Sequence, residues 1–203
     1  MPHGIAVHSP EEASDGFREL GGKAVALKLI SGTVLHKTDV GGVRLGIETA
    51  EDAAQAYRDL EASLQAYGVS DAFEGALVQE MVTGGVECLV GMVNDPLFGP
   101  LIAFGLGGTV AEAMGDVAFR LHPLTDADAA ELMGSVKAAR LLAGYRGAPP
   151  ADQSALRGIL LRVSRLVEDV PELAELDLNP VMALPAGEGA IVLDARMRLE
   201  RSG

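Results

Sequence analysis

The apolar positions in the first third of the chain switch between the two-residue period of a strand and the longer period of a helix. Ser9 precedes a proline and two glutamates, and Thr49 precedes an acidic turn, so each is expected to cap the start of a helix. The pattern predicts a strand at 4–8, a helix to about 20, a strand at 24–30, a polar loop at 31–42 and a helix from 49 to about 68.

The remaining two thirds of the chain predict a mixed set of strands and helices. Asn94, Asp95 and Pro96 form a strong turn signal. We expect two strands within 76–92, further strands at 101–104, 117–121, 176–177, 181–184 and 191–194, and helices from Thr125 and over 153–167. The chain therefore predicts an α+β fold (α/β in two lobes), with a small βαβ-type lobe at 1–78 and an α+β lobe at 79–203.

The charge of the chain limits the classes of partner that it is expected to bind. It has 29 acidic and 16 basic side chains and a formal net charge of −13, which disfavours nucleic acid and anionic lipid as partners. The single cysteine, Cys88, excludes an internal disulfide and a cysteine-pair metal site, and we expect a small core residue rather than a nucleophile. Without a signal-peptide pattern or an apolar run of about 20 residues, we expect a cytoplasmic protein that does not enter the membrane.

Two segments of the first lobe could contact a phosphate. Lys28 lies near the end of an apolar strand, where an ammonium group is costly to bury without an anion. The following segment contains His36, Lys37 and the glycine pair Gly41 and Gly42, and such glycines let backbone N–H groups approach an oxyanion. The local sequence is also compatible with a lysine that reaches solvent and with an ordinary tight turn.

The second lobe offers a glycine-rich loop and oxygen ligands. Residues 104–108 follow an apolar strand but lack the spacing of a dinucleotide fingerprint. Asn179 and Asp194 place oxygen donors on two adjacent short strands, and Mg²⁺ favours such donors completed by phosphate and water. Strand-end caps and turns would explain the same residues, and Arg120 would by itself indicate a surface ion pair.

Eight ordered motifs spread over nearly the whole chain resemble one family. They are LHKTDVGGV (35–43), VQEMV (78–82), DPLFGP (95–100), FGLGG (104–108), FRLHPL (119–124), GYRGAPP (144–150), LDLNP (176–180) and LDAR (193–196). The sequence is similar to the ATP-grasp domain of NDP-forming acyl-CoA synthetases. This group includes the β subunit of ADP-forming acetate–CoA ligase and, more distantly, the succinyl-CoA synthetase β chain.

The resemblance implies a nucleotide held between the two lobes. By this resemblance Lys28 meets the phosphates, and Lys37, Gly41 and Gly42 belong to the loop that covers them. The hinge that borders adenine matches Glu80, Met81 and Val82, and the acid that holds ribose matches Glu87.

The resemblance also implies the reacting groups. Asn179 and Asp194 match the magnesium ligands, and Arg120 matches the arginine that stabilises charge on the transferring phosphoryl group. His36 matches a histidine that carries the phosphoryl group transiently in some members, and a neutral imidazole can attack phosphorus.

The chain departs from the family pattern in four respects. Thr38 stands where serine is usual, and Ser31-Gly32 stands where Ser-Pro is common. The first lobe is expected to lack the helix that ordinarily precedes its first strand. The CoA-binding and ligase domains are also absent from the sequence, so a partner subunit or fused domain is expected to bind CoA.

These observations predict the nucleotide-binding unit of an ADP-forming acyl-CoA ligase, using ATP or ADP with Mg²⁺ and working within an oligomer. One alternative is a regulatory or scaffold domain of an acyl-CoA synthetase fused to a lysine acetyltransferase. Another is a carboxylate–amine ligase, which the motifs LHKTDVGGV and FGLGG disfavour. The sequence does not identify the acid that is activated.

Overall fold

The computed structural model describes residues 1–34, 37–107 and 115–200. The chain divides into two compact units, Pro2–Val82 and, together with Met1, Thr83–Gly203. The described part of the first unit consists of β1 (Gly4–Val7), α1 (Pro10–Glu19), β2 (Val25–Ile30), β3 (Val43–Ile47), α2 (Ala50–Ala66), a 3-10 turn (Ser70–Ala72) and β4 (Gly75–Glu80).

The four strands of the first unit form one antiparallel sheet in the order β1-β4-β2-β3. Because β1 and β2 both run antiparallel to β4, they are parallel to each other, and α1 connects them. The expected βαβ connection is therefore present, but β4 is inserted between its two strands. Strand β3 was not predicted, because Arg44 and Gly46 interrupt its apolar pattern. Its extended conformation is stabilised by pairing with β2.

Both predicted helix starts of the first unit are confirmed. The Ser9 hydroxyl accepts a hydrogen bond from the Glu12 N–H at 3.1 Å, and the Thr49 hydroxyl accepts one from the Asp52 N–H at 3.0 Å. These bonds satisfy N–H groups that have no partner within the helix. The two helices pack on one face of the sheet, where their apolar sides bury Leu27 with the other core residues of this unit.

The second unit contains a larger sheet and two helices. Its described elements are β5 (Val86–Asp95), β6 (Gly99–Leu106), β7 (Val117–Leu121), α3 (Asp126–Ser135), a 3-10 turn (Ala139–Leu141), α4 (Gln153–Asp169), β8 (Leu173–Ala183), β9 (Ala190–Val192) and β10 (Ala195–Leu199). The strands run antiparallel in the order β10-β8-β5-β6-β7, and β9 pairs with β8. The helices cover one face and form the main core with it.

Strand β8 corrects the prediction of two separate strands at 176–177 and 181–184. It is continuous through Asn179 and Pro180, whose peptide bond is cis. Its register against β5 shifts here, because Leu178 pairs with Val90 and Val181 pairs with Cys88. Two residues of β8 therefore oppose one of β5, which defines a β-bulge.

Cys88 is a fully buried core residue of β5, as expected. Burial, and secondarily the charge of Glu87, raises the pKa of its thiol to about 12. A thiol held in this protonated form is a poor nucleophile.

Within the described ranges, none of the helices has the length and apolar character needed to cross a membrane.

The core of the first unit can be tested by truncation. We expect Leu27→Ala to lower the free energy of unfolding by about 2–5 kcal/mol, because it removes a fully buried side chain and leaves a cavity. Leu45→Ala, at a position that is 66% exposed, should change it by less than about 0.5 kcal/mol. Urea unfolding of both variants measures the difference, and equal losses would contradict the assignment of the core.

Candidate functional site

Lys28 lies on β2, between two neighbouring strands that fix its backbone. It pairs with Leu77 of β4 on one side and Val43 of β3 on the other. Its neighbours Leu27 and Leu29 are buried, and alternation places the half-buried Lys28 on the opposite face of the sheet, away from the helices. Because Val43 follows the glycine pair directly, Lys28 lies next to the end of the predicted phosphate loop.

Residues 37–42 form a short loop closed by its own backbone. The Gly41 N–H donates to the Thr38 carbonyl at 3.0 Å, and the Gly42 N–H donates to the Lys37 carbonyl at 2.6 Å. A Cβ on Gly42 would lie 2.7 Å from that carbonyl oxygen, so this close approach requires glycine. The Gly42 carbonyl accepts from the Leu29 N–H at 2.8 Å and joins the loop to β2.

The glycines of this loop thus donate within the loop itself. At its tip, no acceptor within the described part of the chain is bonded to the N–H of Asp39 or Val40. Consecutive backbone N–H groups without a partner can bind an anion when both point toward it. The predicted phosphoryl carrier, His36, lies outside the described residues.

The segment before residue 35 is held by a different element. The Glu74 carboxylate accepts from the Gly32 N–H at 2.7 Å, and the Ser31 hydroxyl accepts from the N–H groups of Thr33 and Val34 at 3.2 and 3.1 Å. The chain is therefore anchored on both sides of residues 35 and 36. Glu74 was not among the predicted residues, because the sequence around it carries no local signal for this contact.

The predicted adenine hinge continues directly from β4. The Glu80 N–H donates to the His3 carbonyl at 3.0 Å, and the Met81 N–H donates to the Ala24 carbonyl at 3.2 Å. These bonds keep the first part of the hinge in line with the sheet. Glu80 is exposed and Val82 is half-buried.

In the second unit, Glu87 lies beside the glycine-rich loop. The Glu87 carbonyl accepts from the Gly107 N–H at 2.8 Å, and a Cβ on Gly107 would lie 3.0 Å from the Glu87 Cβ. Glu87 itself is exposed and alternates with buried Cys88, so it projects from the face opposite the helices. The final glycine of FGLGG, at position 108, lies outside the described residues.

Asn179 and Asp194 are neighbours in the structure. The Asn179 N–H donates to the Asp194 carbonyl at 3.2 Å, and the Leu193 N–H donates to the Pro180 carbonyl at 2.9 Å. Asn179 lies in the β8 bulge and Asp194 in the connection between β9 and β10. The described residues contain no group of three or more His, Cys, Asp or Glu side chains arranged for a metal. An amide oxygen and one carboxylate nevertheless fit Mg²⁺, which takes few protein ligands when phosphates and water complete its shell.

Arg120 does not lie near Asn179 and Asp194. It lies on β7, three strands and about 14 Å from β8. Arg120 pairs with Ile102 of β6, which pairs with Met92 of β5, and both of these are buried beneath the helices. Arg120 shares their face of the sheet and forms an exposed ion pair with Glu131 of α3.

A buried carboxylate fixes the hairpin that follows the bulge. Asp152 caps α4 by accepting from the Ala155 N–H at 2.9 Å, and its other oxygen accepts from the N–H groups of Gly187 and Gly189 at 3.0 and 2.9 Å. The bond from Ala155, followed by those from the glycines, lowers the pKa of Asp152. The turn between β8 and β9 is thereby tied to the start of a helix.

Comparison with known proteins places this geometry in a family. A model of the ATP-grasp domain family matches residues 1–199, and the chain belongs to that family. It is 45% identical over 198 residues to the ADP-forming acetate–CoA ligase I of Archaeoglobus fulgidus, and 38% identical over 199 residues to the β subunit of the corresponding enzyme of Pyrococcus furiosus. Each alignment covers 98% of the chain, but 28% of the first relative and 84% of the second.

The fold is also similar to that of solved structures. The chain superimposes with a TM-score of 0.90 and 42% identity on the dinucleotide forming acetyl-coenzyme A synthetase 1 of Ca. Korarchaeum cryptofilum, in complex with coenzyme A, Ca-AMPCP and HgCl⁺. The match covers 98% of this chain and 86% of that one. The ATP-grasp fold implied by the sequence motifs is therefore confirmed.

The role of Asp152 predicts a pH-dependent stability. Asp152→Asn should lower Tm by roughly 5 °C at pH 7, because it loses a charged acceptor of several N–H groups. Since the folded pKa is depressed, this stabilisation is complete above the ordinary pKa of about 4 and disappears as the pH falls through the lower folded value. The difference in Tm between wild type and variant should therefore shrink on acidification.

Calorimetric melting between pH 7 and pH 3 measures this difference, with Glu188→Gln in the same turn as the control. A constant difference across the range would contradict the role of the carboxylate charge.

Proposed function

We propose that the chain is the nucleotide-binding unit of an ADP-forming acyl-CoA ligase. Within acid + CoA + ATP ⇌ acyl-CoA + ADP + phosphate, it exchanges a phosphoryl group between Mg-nucleotide and a histidine. The observation that carries the proposal is the adjacency of Asn179 and Asp194 in a chain whose relatives are ADP-forming ligases. CoA is bound by a partner subunit or fused domain, which fits a chain that spans 28% of the A. fulgidus enzyme.

The metal role falls to the side-chain oxygens of Asn179 and Asp194. Mg²⁺ bound there would neutralise charge on the phosphates and so lower the barrier to phosphoryl transfer. The solved relative is in complex with Ca-AMPCP, and Ca²⁺ also prefers oxygen ligands. The Asn179 peptide is fixed by its bond to Asp194, so both ligand-bearing backbones hold their relative position before a metal arrives.

The nucleotide is bound by groups on separate elements. Lys28 and Lys37 supply positive charge for the phosphates in a chain of net charge −13, and the N–H groups of Asp39 and Val40 donate to phosphate oxygens. The hinge of Glu80, Met81 and Val82 borders the adenine, and Glu87 accepts from the ribose hydroxyls.

His36 is the proposed phosphoryl acceptor. Its neutral ring nitrogen attacks the γ-phosphorus of ATP, the bond from that phosphorus to the bridging oxygen breaks, and ADP leaves with the electron pair. The resemblance gives Arg120 the task of stabilising charge on the transferring group, but Arg120 lies on the helix-covered face of its sheet and pairs with Glu131, so its placement does not support that role.

Nucleotide binding is the first property to measure. Calorimetric titration of the chain with ADP and ATP should give saturable binding that depends on Mg²⁺. Asn179→Ala and Asp194→Ala should each weaken binding in Mg²⁺ by about tenfold or more, because each removes one of two protein ligands.

Glu188→Gln is the control, since this exposed side chain lies in the β8–β9 turn of the same unit. Failure of the wild-type chain to bind in Mg²⁺ would refute the nucleotide-binding proposal. Unchanged affinity in both alanine variants would refute the metal assignment alone.

The phosphoryl step is tested by labelling. After incubation with Mg-ATP labelled in its γ-phosphate, the wild-type chain should carry acid-labile, alkali-stable phosphate, and His36→Asn should carry none. His3→Asn, which changes an exposed histidine, should label like wild type. Label that persists in His36→Asn would assign the acceptor to another residue.

A further inference from the structure

We infer that Arg44 is a positioning residue that holds the loop of residues 37–42 in the shape that binds phosphate. The inference rests on the proposed function for the identity of the ligand, whereas the contacts that carry it belong to the first unit alone. Arg44 follows the glycine pair by two residues and lies on β3. Neither the sequence motifs nor the resemblance singled it out.

The guanidinium of Arg44 joins the loop to a helix. Its Nη1 donates to the Gly41 carbonyl and, at 3.2 Å, to the Val43 carbonyl. Its Nη2 donates to the Ser63 hydroxyl at 2.9 Å and approaches the Asp59 carbonyl at 3.5 Å. A single planar group therefore connects the closing end of the loop to the second half of α2.

Close packing accompanies these hydrogen bonds. A Cβ on Gly41 would lie 3.4 Å from the Ser63 Oγ and 3.5 Å from the Arg44 Nη1, and Gly41 has a φ of +65° that favours glycine. The Ser63 hydroxyl in turn donates to the Asp59 carbonyl at 2.7 Å. The loop, the guanidinium and the helix thus form one connected set of contacts, which limits the movement of the Gly41 carbonyl.

The acceptors of Arg44 leave its charge uncompensated. They are three carbonyls and one hydroxyl, and among the described residues no carboxylate lies within ion-pair distance of it. Arg44 is half-buried, so solvent screens its charge less than that of an exposed side chain. The residue therefore offers two separable contributions to phosphate binding, a brace for the loop and a positive charge near it.

Two substitutions separate these contributions. Arg44→Lys keeps the charge, but a single ammonium cannot reproduce the planar fork that reaches both the loop and α2. Arg44→Met keeps apolar volume and removes both charge and donors. Arg58→Met is the matched control, because it removes another arginine that contacts Gln55 on α2 and has no contact with the loop.

Amide hydrogen exchange of residues 37–43 measures the brace, and titration with Mg-ADP measures its effect on the ligand. We expect faster exchange of this segment in both Arg44 variants. Affinity for Mg-ADP should fall by about tenfold or more in Arg44→Met and by less in Arg44→Lys. Arg58→Met should match wild type in both measurements.

Unchanged exchange in Arg44→Met would overturn the inference, and so would faster exchange without loss of Mg-ADP affinity. If the wild-type chain binds no Mg-ADP, the proposed function has failed instead, and the exchange comparison alone decides whether Arg44 braces the loop. Thermal melting of each variant beside wild type separates local loosening of the loop from loss of the fold.

Discussion

Each of the two sheets is antiparallel throughout and carries its helices on one face, and this constraint determines which side chains can meet a ligand. Side chains alternate along every strand, so a residue next to a core position projects from the other face. Lys28 and Glu87 project away from the helices in their respective units, whereas Arg120 shares the helix-covered face with the core. A one-residue change of register would reverse each of these placements.

The loops depend on charged side chains that lie outside the loops themselves. Glycine-rich segments bury little apolar surface, so their backbone groups need polar partners to hold one shape. Glu74 fixes the segment that begins at Ser31, Arg44 fixes the glycine pair, and Asp152 fixes the turn after the bulge. Arg44 and Asp152 each bond several backbone groups and Glu74 bonds one, and these bonds hold each loop in a defined conformation.

The sequence predicted those elements that depend on interactions between residues close together in the chain. Helix caps such as Ser9 and Thr49 are confirmed because their bonds span three residues. The continuity of β8 was not predictable, since the bulge at Asn179 reverses which residues face the core and breaks the two-residue period. The candidate site residues came from motifs, and Arg44 escaped them because its partners on α2 are backbone and hydroxyl groups 15 and 19 residues away.

The reactivity of the buried Cys88 thiol can report on transient opening of the second unit. Reagents that attack thiolates can reach this sulfur only when the core around β5 opens and exposes it to water. The chain has no other cysteine, so the rate of alkylation counts these openings without an introduced label. Transient opening of the sheet that carries Asn179 can thus be measured in the unaltered molecule.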